Sequence, residues 1–139
     1  MTVSKIEPSR HVKGRILVYL DSGDMLKATE QEALTFSLYP GRVLSAEELR
    51  ALRAAAGRSG ARNRAAEMIG VRALSKKELC RRLIQKGESE EDACAAADWL
   101  EEIGALDDLR YAKSVVRHYA GLRYGPAKMR DELYRRGVP

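Results

Sequence analysis

The chain has 139 residues, enough for one ordinary domain or two small ones. Hydrophobic residues make up 45% and aromatic residues only 6%, so we expect a core of aliphatic side chains and alanine. No apolar run reaches the length that spans a bilayer, and charged side chains interrupt the first twenty residues where a secretion signal needs an apolar stretch. These features argue against a membrane or secreted protein, and we expect a cytoplasmic one.

The net charge of +5 is distributed unevenly along the chain. Residues 1–60 carry a net +2, residues 61–109 a net −3, and residues 110–139 a net +6. A basic end beside an acidic middle predicts an oriented electrostatic surface. Ordinary solvated helix faces would give the same pattern, so charge alone does not identify a binding site.

The N-terminal part predicts a small hairpin. Residues 1–13 are polar and irregular, which favours a loose arm. Arg15–Leu20 is a short β-prone run, Asp21–Asp24 has turn chemistry, and Met25–Ala28 suits a partner strand. A hairpin of this size is not stable alone, so we expect it to dock on helices.

Two capping boxes follow the hairpin. Thr29–Glu32 predicts a brief helix to about Phe36, and Ser45–Glu48 predicts a longer one. Gly57–Gly60 is expected to break the longer helix. This break predicts a boundary after an N-terminal hairpin-plus-helix extension, residues 1–60.

A pair of helices is predicted next. The first runs from about Arg62 to Val71, and the capping box Ser75–Glu78 starts the second, which Gly87 ends. The second helix is basic, with five bases and one acid. Its inward-facing side chains are predicted to be Leu79, Leu83 and Ile84.

An acidic helix begins near Ser89 and ends at Gly104. Glu88–Glu102 contains seven acids and no base. Because its charge is opposite to that of the preceding helix, we expect the two helices to pair. Each exposed ion pair contributes only roughly 0–1 kcal/mol, so such pairs guide the packing more than they stabilise it.

The last segment predicts two more helices. Asp107–Asp108 is expected to cap a helix to about Tyr119, and Gly125–Pro126 opens another that Gly137 ends. The adjacent carboxylates alternatively suit acid–base chemistry or a metal, but no histidine or third acid accompanies them at a fixed spacing. We therefore interpret them as helix caps.

This last segment repeats an earlier one. Ser75-x-x-x-Leu79-x-x-x-Leu83-x-x-Lys86-Gly87 returns as Gly125-x-x-x-Met129-x-x-x-Leu133-x-x-Arg136-Gly137. Helical units of this kind bury their apolar faces against their neighbours. We predict a mainly α fold of tandem three-helix repeats, one complete at 61–107 and one partial at 108–139, preceded by the small β-hairpin/helix element. The second unit lacks a third helix, which favours a truncated chain over pairing with another chain.

Further residues extend the repeated pattern into a family resemblance. They are Leu74-Ser75-Lys76-Lys77-Glu78-Leu79, Leu100-x-x-x-Gly104-x-Leu106-Asp107-Asp108-x-x-Tyr111-Ala112 and Gly125-Pro126-x-x-x-x-x-Glu132-Leu133-x-x-Arg136-Gly137. In order and spacing, about residues 62–139 resemble the RecX family, the regulatory proteins of the RecA recombinase. Arg15–Ala56 is more loosely similar to an extension that precedes the repeats in one branch of that family.

The resemblance implies a function without catalysis. RecX proteins are built of tandem three-helix repeats, bind along the groove of the RecA–DNA filament, and modulate, mostly inhibit, its recombination and ATPase activities in DNA repair and the SOS response. By that comparison we expect no enzyme activity, cofactor, metal or small-molecule substrate. The expected partner is a RecA-type recombinase filament, with possible contact to DNA.

Basic side chains on the two repeated helices and the loop between them are the predicted partner- or nucleic-acid-binding residues, because Lys and Arg neutralise phosphate or pair with acidic protein surfaces. They are Lys76, Lys77, Arg81, Arg82, Lys86, Arg117, His118, Arg123, Lys128, Arg130, Arg135 and Arg136. Two other interpretations remain open at this point, a small DNA-binding helical module and a helical scaffold protein. Cys80 and Cys94 form no metal-binding pattern, and we interpret them as two half-buried thiols.

Overall fold

The protein is described by a computed structural model that covers residues 1–10 and 14–139. Its contacts divide the chain into two compact units, Met1–Gly60 and Ala61–Pro139. The first unit contains a three-stranded antiparallel sheet of β1 (Val3–Pro8), β2 (Arg15–Leu20) and β3 (Met25–Thr29), with β2 in the middle. The predicted hairpin of β2 and β3 is confirmed.

The prediction of a loose N-terminal arm is wrong for residues 1–10, and the remainder of that arm, residues 11–13, lies outside the described residues. Val3 is fully buried, and its backbone N–H donates to the carbonyl oxygen of Arg42 at 2.9 Å. β1 also pairs antiparallel with β2, so it satisfies backbone hydrogen-bonding groups at that edge of β2. Val3 belongs to the hydrophobic core of this unit. This edge pairing is a contact over long sequence distance, which a polar local sequence does not reveal.

Both capping boxes of the first unit form as predicted. Thr29 accepts from the Glu32 N–H at 3.1 Å, and Glu32 accepts from the Thr29 N–H at 3.0 Å, which starts helix α1 (Glu30–Thr35). Ser45 and Glu48 make the same reciprocal pair, with both distances 3.1 Å. That pair opens helix α2 (Ala46–Val71).

Helix α2 does not break, so the predicted interruption at Gly57–Gly60 is wrong. The helix runs through 26 residues. A glycine inside a helix costs only about 1 kcal/mol. Buried apolar side chains on both sides of the glycines follow helical spacing and outweigh that cost: Leu52, Ala56, Ala61 and Ala65.

The second unit continues with four further helices: α3 (Lys76–Gln85), α4 (Glu90–Glu102), α5 (Asp108–Gly121) and α6 (Pro126–Arg135). The predicted caps Ser75 and Asp107 each accept a backbone N–H at the start of their helix, and so does Ser89, near which α4 was predicted to begin. Left-handed glycines follow α3, α4 and α6, as the sequence predicts. The predicted fold class, mainly helical with a small β element at the N-terminus, is confirmed.

The core of the second unit is built from small and aliphatic side chains. Leu79 and Leu83 of α3 are fully buried against an alanine-rich face of α4. Ile84 is 44% exposed, so its predicted inward position is wrong. At about 100° per residue it lies about a third of a turn from the middle of the face that Leu79 and Leu83 define. A smaller cluster contains Tyr111, Val115 and Val138.

Candidate partner-binding surface

The N-terminus of α3 is the place where the two copies of the repeated segment meet. The Ser75 hydroxyl accepts from the Glu78 N–H at 3.2 Å and donates to the carbonyl oxygen of Arg136, at the end of α6. Ser75 is fully buried. The same hydroxyl therefore caps α3 and links the end of α6 to α3 by a hydrogen bond. We call the contacts of α3 with the start of α5 and the end of α6 the repeat junction.

Asp108 completes the repeat junction from the side of α5. Its carboxylate accepts from the backbone N–H of Lys76 at 2.8 Å, which is one of the free donors at the positive end of α3. Its neighbour Asp107 caps α5 by accepting from the Arg110 N–H at 3.1 Å. The prediction that this acidic pair caps α5 is thus confirmed for Asp107, whereas Asp108 bonds to the first turn of α3.

Gly137 occupies a position that only glycine fits without displacement. Its φ is +81°, and a Cβ added there would lie 2.9 Å from the Cβ of Lys77 and 3.2 Å from the Oγ of Ser75. The residue that ends α6 is therefore also a point where the backbone of the second copy of the repeat lies close to the first copy.

Arg136 lies in a half-buried cluster of tyrosine and arginine side chains. Its guanidinium donates to Glu132 at 2.8 Å and to the hydroxyls of Tyr111 and Tyr119 at 3.1 Å each. A hydrogen bond from Arg135, which has the larger effect, and another from Arg136 lower the pKa of the Glu132 carboxyl to about 2. These bonds join α6 to α5, so Arg136 serves the packing of this unit.

Several other predicted binding residues also have partners within the chain. Lys76 pairs with Asp98 at 2.7 Å and Glu101 at 3.1 Å, both on α4, and these hydrogen bonds raise its pKa. The predicted charge pairing of the basic helix with the acidic one is therefore present. The remaining internal partners are Glu78 for Arg82, Glu132 for Arg135, the Tyr124 ring for Lys128, the Lys113 carbonyl for Arg117 and the Tyr119 ring for His118.

A smaller group of the predicted residues is free to meet a partner. In the part of the chain that the structure describes, their side chains are exposed and make no ion pair: Lys77, Arg81, Lys86, Arg123 and Arg130. Lys77 and Arg81 lie one turn apart on α3 and so share a face. This pair is the free cationic face of α3.

A groove beside α3 contains basic residues that the sequence analysis missed. It has a volume of about 490 Å³ and is lined by Arg64, Glu67, Met68, Val71, Arg72, Arg82 and Lys86. Val71 is 90% exposed at its rim. Arg64, Met68 and Arg72 recur every four residues, a spacing that places them on one side of α2. The four-residue spacing could have indicated these basic residues from the sequence. They lie before the repeated motif, however, and so were not among the predicted binding residues.

A metal-binding cluster or a membrane-spanning helix would each indicate a different class of site. Among residues 1–10 and 14–139, no cluster of three or more His, Cys, Asp or Glu side chains is arranged to hold a metal ion. Nor does any helix in these residues combine the length and apolarity that crossing a membrane requires.

Comparisons with known proteins agree with a fold built from three-helix repeats. A family model described as RecX, second three-helix domain, matches residues 107–139. Regulatory protein RecX of Pseudomonas putida F1 is 39% identical over 77 residues, which are 55% of this chain and 49% of that protein. Regulatory protein RecX of Xanthomonas citri is 43% identical over 75 residues, 54% of this chain and 46% of that protein. The chain thus matches about half the length of these curated relatives.

A solved structure is similar over nearly the whole chain. A crystal structure of regulatory protein RecX superposes with a TM-score of 0.76 at 26% identity. The superposition covers 99% of this chain and 68% of the other. The similarity therefore extends through the N-terminal unit, beyond the segment that the sequence relatives match.

Proposed function

We propose that this chain, which belongs to the RecX family, is a non-enzymatic regulator that binds a RecA-type recombinase filament and limits its recombination and ATPase activities. The observation that carries the proposal is the free cationic face of α3, which the repeat junction holds in place. The proposed partner surface is acidic protein, with DNA phosphate nearby.

The repeat junction prepares this face for binding. Contacts from α5 and α6 fix the first turn of α3 through Ser75, Lys76 and Lys77. A helix that is already ordered loses little conformational freedom when a partner binds, so less of the interaction energy is spent on ordering. Exposed Lys77 and Arg81 on such a helix provide charge for steering and for hydrogen bonds to carboxylate or phosphate.

The acidic helix α4 favours a protein partner over bare DNA. Its first turn carries Glu90, Glu91 and Asp92, and Glu102 stands exposed at its end. These carboxylates lie in the same unit as the free cationic face and would be repelled by a duplex. Binding to naked DNA would then rest on few phosphate contacts and fall steeply with salt.

Affinity measurements separate the proposed function from the two alternatives. A fluorescently labelled chain is titrated against recombinase filaments on single-stranded DNA, against free recombinase and against the same DNA alone. We expect the tightest binding to the filament, together with a lower ATPase rate. Equal affinity for naked DNA would instead support the DNA-binding module, and filament binding without any change in ATPase would support the scaffold.

A charge reversal tests the surface itself. Lys77→Glu combined with Arg81→Glu should weaken filament binding about tenfold or more, since several exposed charge interactions of roughly 0.2–1 kcal/mol each are lost or inverted. Arg82 is a poorer target because Glu78 already pairs with it at 3.4 Å. Circular dichroism should show unchanged helix content in the variant.

The matched control makes the same change of net charge in the other unit. Arg50 and Arg58 are exposed on α2, and Arg50→Glu with Arg58→Glu should leave filament affinity nearly unchanged. If the control weakens binding as much as the α3 variant, only overall charge matters and the assignment to α3 is wrong.

A further inference from the structure

The two cysteines of the chain lie opposite each other on neighbouring helices. Lys76 of α3 meets Asp98 of α4 at 2.7 Å. Four residues further along α3 is Cys80, and four residues back along α4 is Cys94. The Sγ of Cys80 lies 3.9 Å from the carbonyl oxygen of Ala93. The two helices therefore run antiparallel, and their register brings Cys80 against Cys94.

The approach of α3 and α4 is close at this point. Near this point the face of α4 toward the core consists of Ala93, Ala96 and Ala97, all at most 1% exposed. Cys94 directly follows Ala93, whose carbonyl oxygen lies 3.9 Å from the Cys80 Sγ, so the two thiols belong to opposed turns of the two helices. Both cysteines are reduced, Cys80 half-buried and Cys94 exposed. A disulfide needs two cysteines on closely approaching backbones, and opposed turns of two packed antiparallel helices bring cysteines to such positions.

We propose that Cys80 and Cys94 form a reversible disulfide that joins α3 to α4 when the chain meets hydrogen peroxide. The Cys94 thiolate attacks one peroxide oxygen, an S–O bond forms, the O–O bond breaks, and hydroxide leaves. The Cys80 thiolate then attacks the Cys94 sulfur, the S–S bond forms, and the S–O bond breaks. Overall the two thiols lose two protons and two electrons, and the peroxide is reduced to two water molecules.

The order of the two steps follows from the surroundings of each sulfur. Cys94 is exposed and meets the oxidant first. Burial is the main cause that raises the pKa of Cys80 to about 11, and the neighbouring Cys94 thiol is the second. Asp98 raises this pKa further, whereas Lys76 lowers it. Because the thiolate is the nucleophile, Cys80 reacts slowly with peroxide itself and acts as the resolving thiol.

The disulfide would close the hairpin of α3 and α4 into a loop. Such a link restricts the unfolded chain more than the folded one. The oxidised protein should therefore unfold at a higher temperature than the reduced protein, with unchanged helix content. Addition of dithiothreitol should restore the lower unfolding temperature.

Mass spectrometry of the full chain tests the proposal directly. After brief treatment with hydrogen peroxide and alkylation of the remaining thiols, the intact mass should be lower than that of the reduced, unalkylated chain by two hydrogen atoms. Trypsin digestion without reductant should give peptide 78–81 linked to peptide 87–110. Separate oxidation of the two thiols, or dimers linked through Cys94, without this linked pair would overturn the proposal.

Single substitutions test the order of the steps. Cys80→Ser should leave a sulfenic acid at Cys94 that dimedone traps, whereas Cys94→Ser should leave Cys80 reduced and open to alkylation after unfolding. If a hydroxyl at the half-buried position disturbs the fold, Cys80→Ala provides the same test. Rapid peroxide oxidation of Cys80 in the Cys94→Ser protein would contradict the assigned roles.

Discussion

Replacement of Ser75 by alanine should destabilise the second unit more than the loss of an ordinary helix cap. The Ser75 hydroxyl accepts from the Glu78 N–H at 3.2 Å and donates to the Arg136 carbonyl oxygen across the repeat junction. The substitution removes both bonds at a fully buried position. The carbonyl of Arg136 is then left without this donor.

The magnitude follows from these two losses. Loss of a serine cap costs about 1 kcal/mol of unfolding free energy. The part-buried hydrogen bond to the Arg136 carbonyl adds about 0.5–1.5 kcal/mol. We therefore expect Ser75→Ala to lower the free energy of unfolding by about 1.5–2.5 kcal/mol.

Urea denaturation followed by tryptophan fluorescence measures this change in the right unit, because the single tryptophan, Trp99, lies on α4. Ser89→Ala is the matched control. Ser89 is exposed and caps α4 through the Asp92 N–H at 3.0 Å, so its loss should cost about 1 kcal/mol. If Ser75→Ala costs no more than Ser89→Ala, the bond across the repeat junction contributes nothing and our account of it is wrong.

Two more substitutions address contacts of α6. Gly137→Ala introduces a left-handed alanine whose Cβ lies 2.9 Å from that of Lys77. It should lower the free energy of unfolding by about 1–3 kcal/mol more than the control Gly87→Ala, where φ is +103° but no described atom lies within 4 Å of the added Cβ. Equal losses in the two variants would exclude a steric role for Gly137 in the repeat junction. The carboxyl pKa of Glu132 is lowered to about 2 from 4.5, so its ionised form stabilises the fold above pH 4.5 and loses this effect as the pH falls toward 2. The stability gap between the native chain and Glu132→Gln should therefore narrow over that range in denaturation curves, whereas a constant gap would contradict the lowered pKa.

The features that the sequence predicted are those set by nearby residues. The Ser or Thr followed three residues later by Glu predicted the starts of α1, α2 and α3, because a cap is a contact within one turn. The glycine stop after α3 is equally local, since the chain needs a left-handed residue there. The repeat itself was visible because both copies retain the same apolar spacing.

The features that the sequence did not predict depend on contacts between distant residues. β1 forms because it pairs antiparallel with β2, and α2 continues through its glycines because side chains on both sides of them are buried. The opposition of Cys80 and Cys94 depends on the register of two helices. The role of Arg136 depends on Tyr111, 25 residues away. None of these contacts leaves a short motif.

The two copies of the repeat have diverged in charge, and this divergence locates the candidate surface. An offset of 50 residues aligns Lys77, Arg81 and Arg82 of α3 with Ala127, Asp131 and Glu132 of α6. Because position 132 is acidic, Arg136 has an ion-pair partner one turn back in α6. The aligned Lys86 is exposed and makes no ion pair among residues 1–10 and 14–139.

The binding face should therefore be concentrated on α3. Lys128→Glu combined with Arg130→Glu changes the net charge as much as the double reversal at Lys77 and Arg81, yet it alters a helix whose other charges are already paired or acidic. We expect it to weaken filament affinity clearly less in the same titration. An equal or larger loss would mean that both copies of the repeat engage the partner alike, despite their different charges.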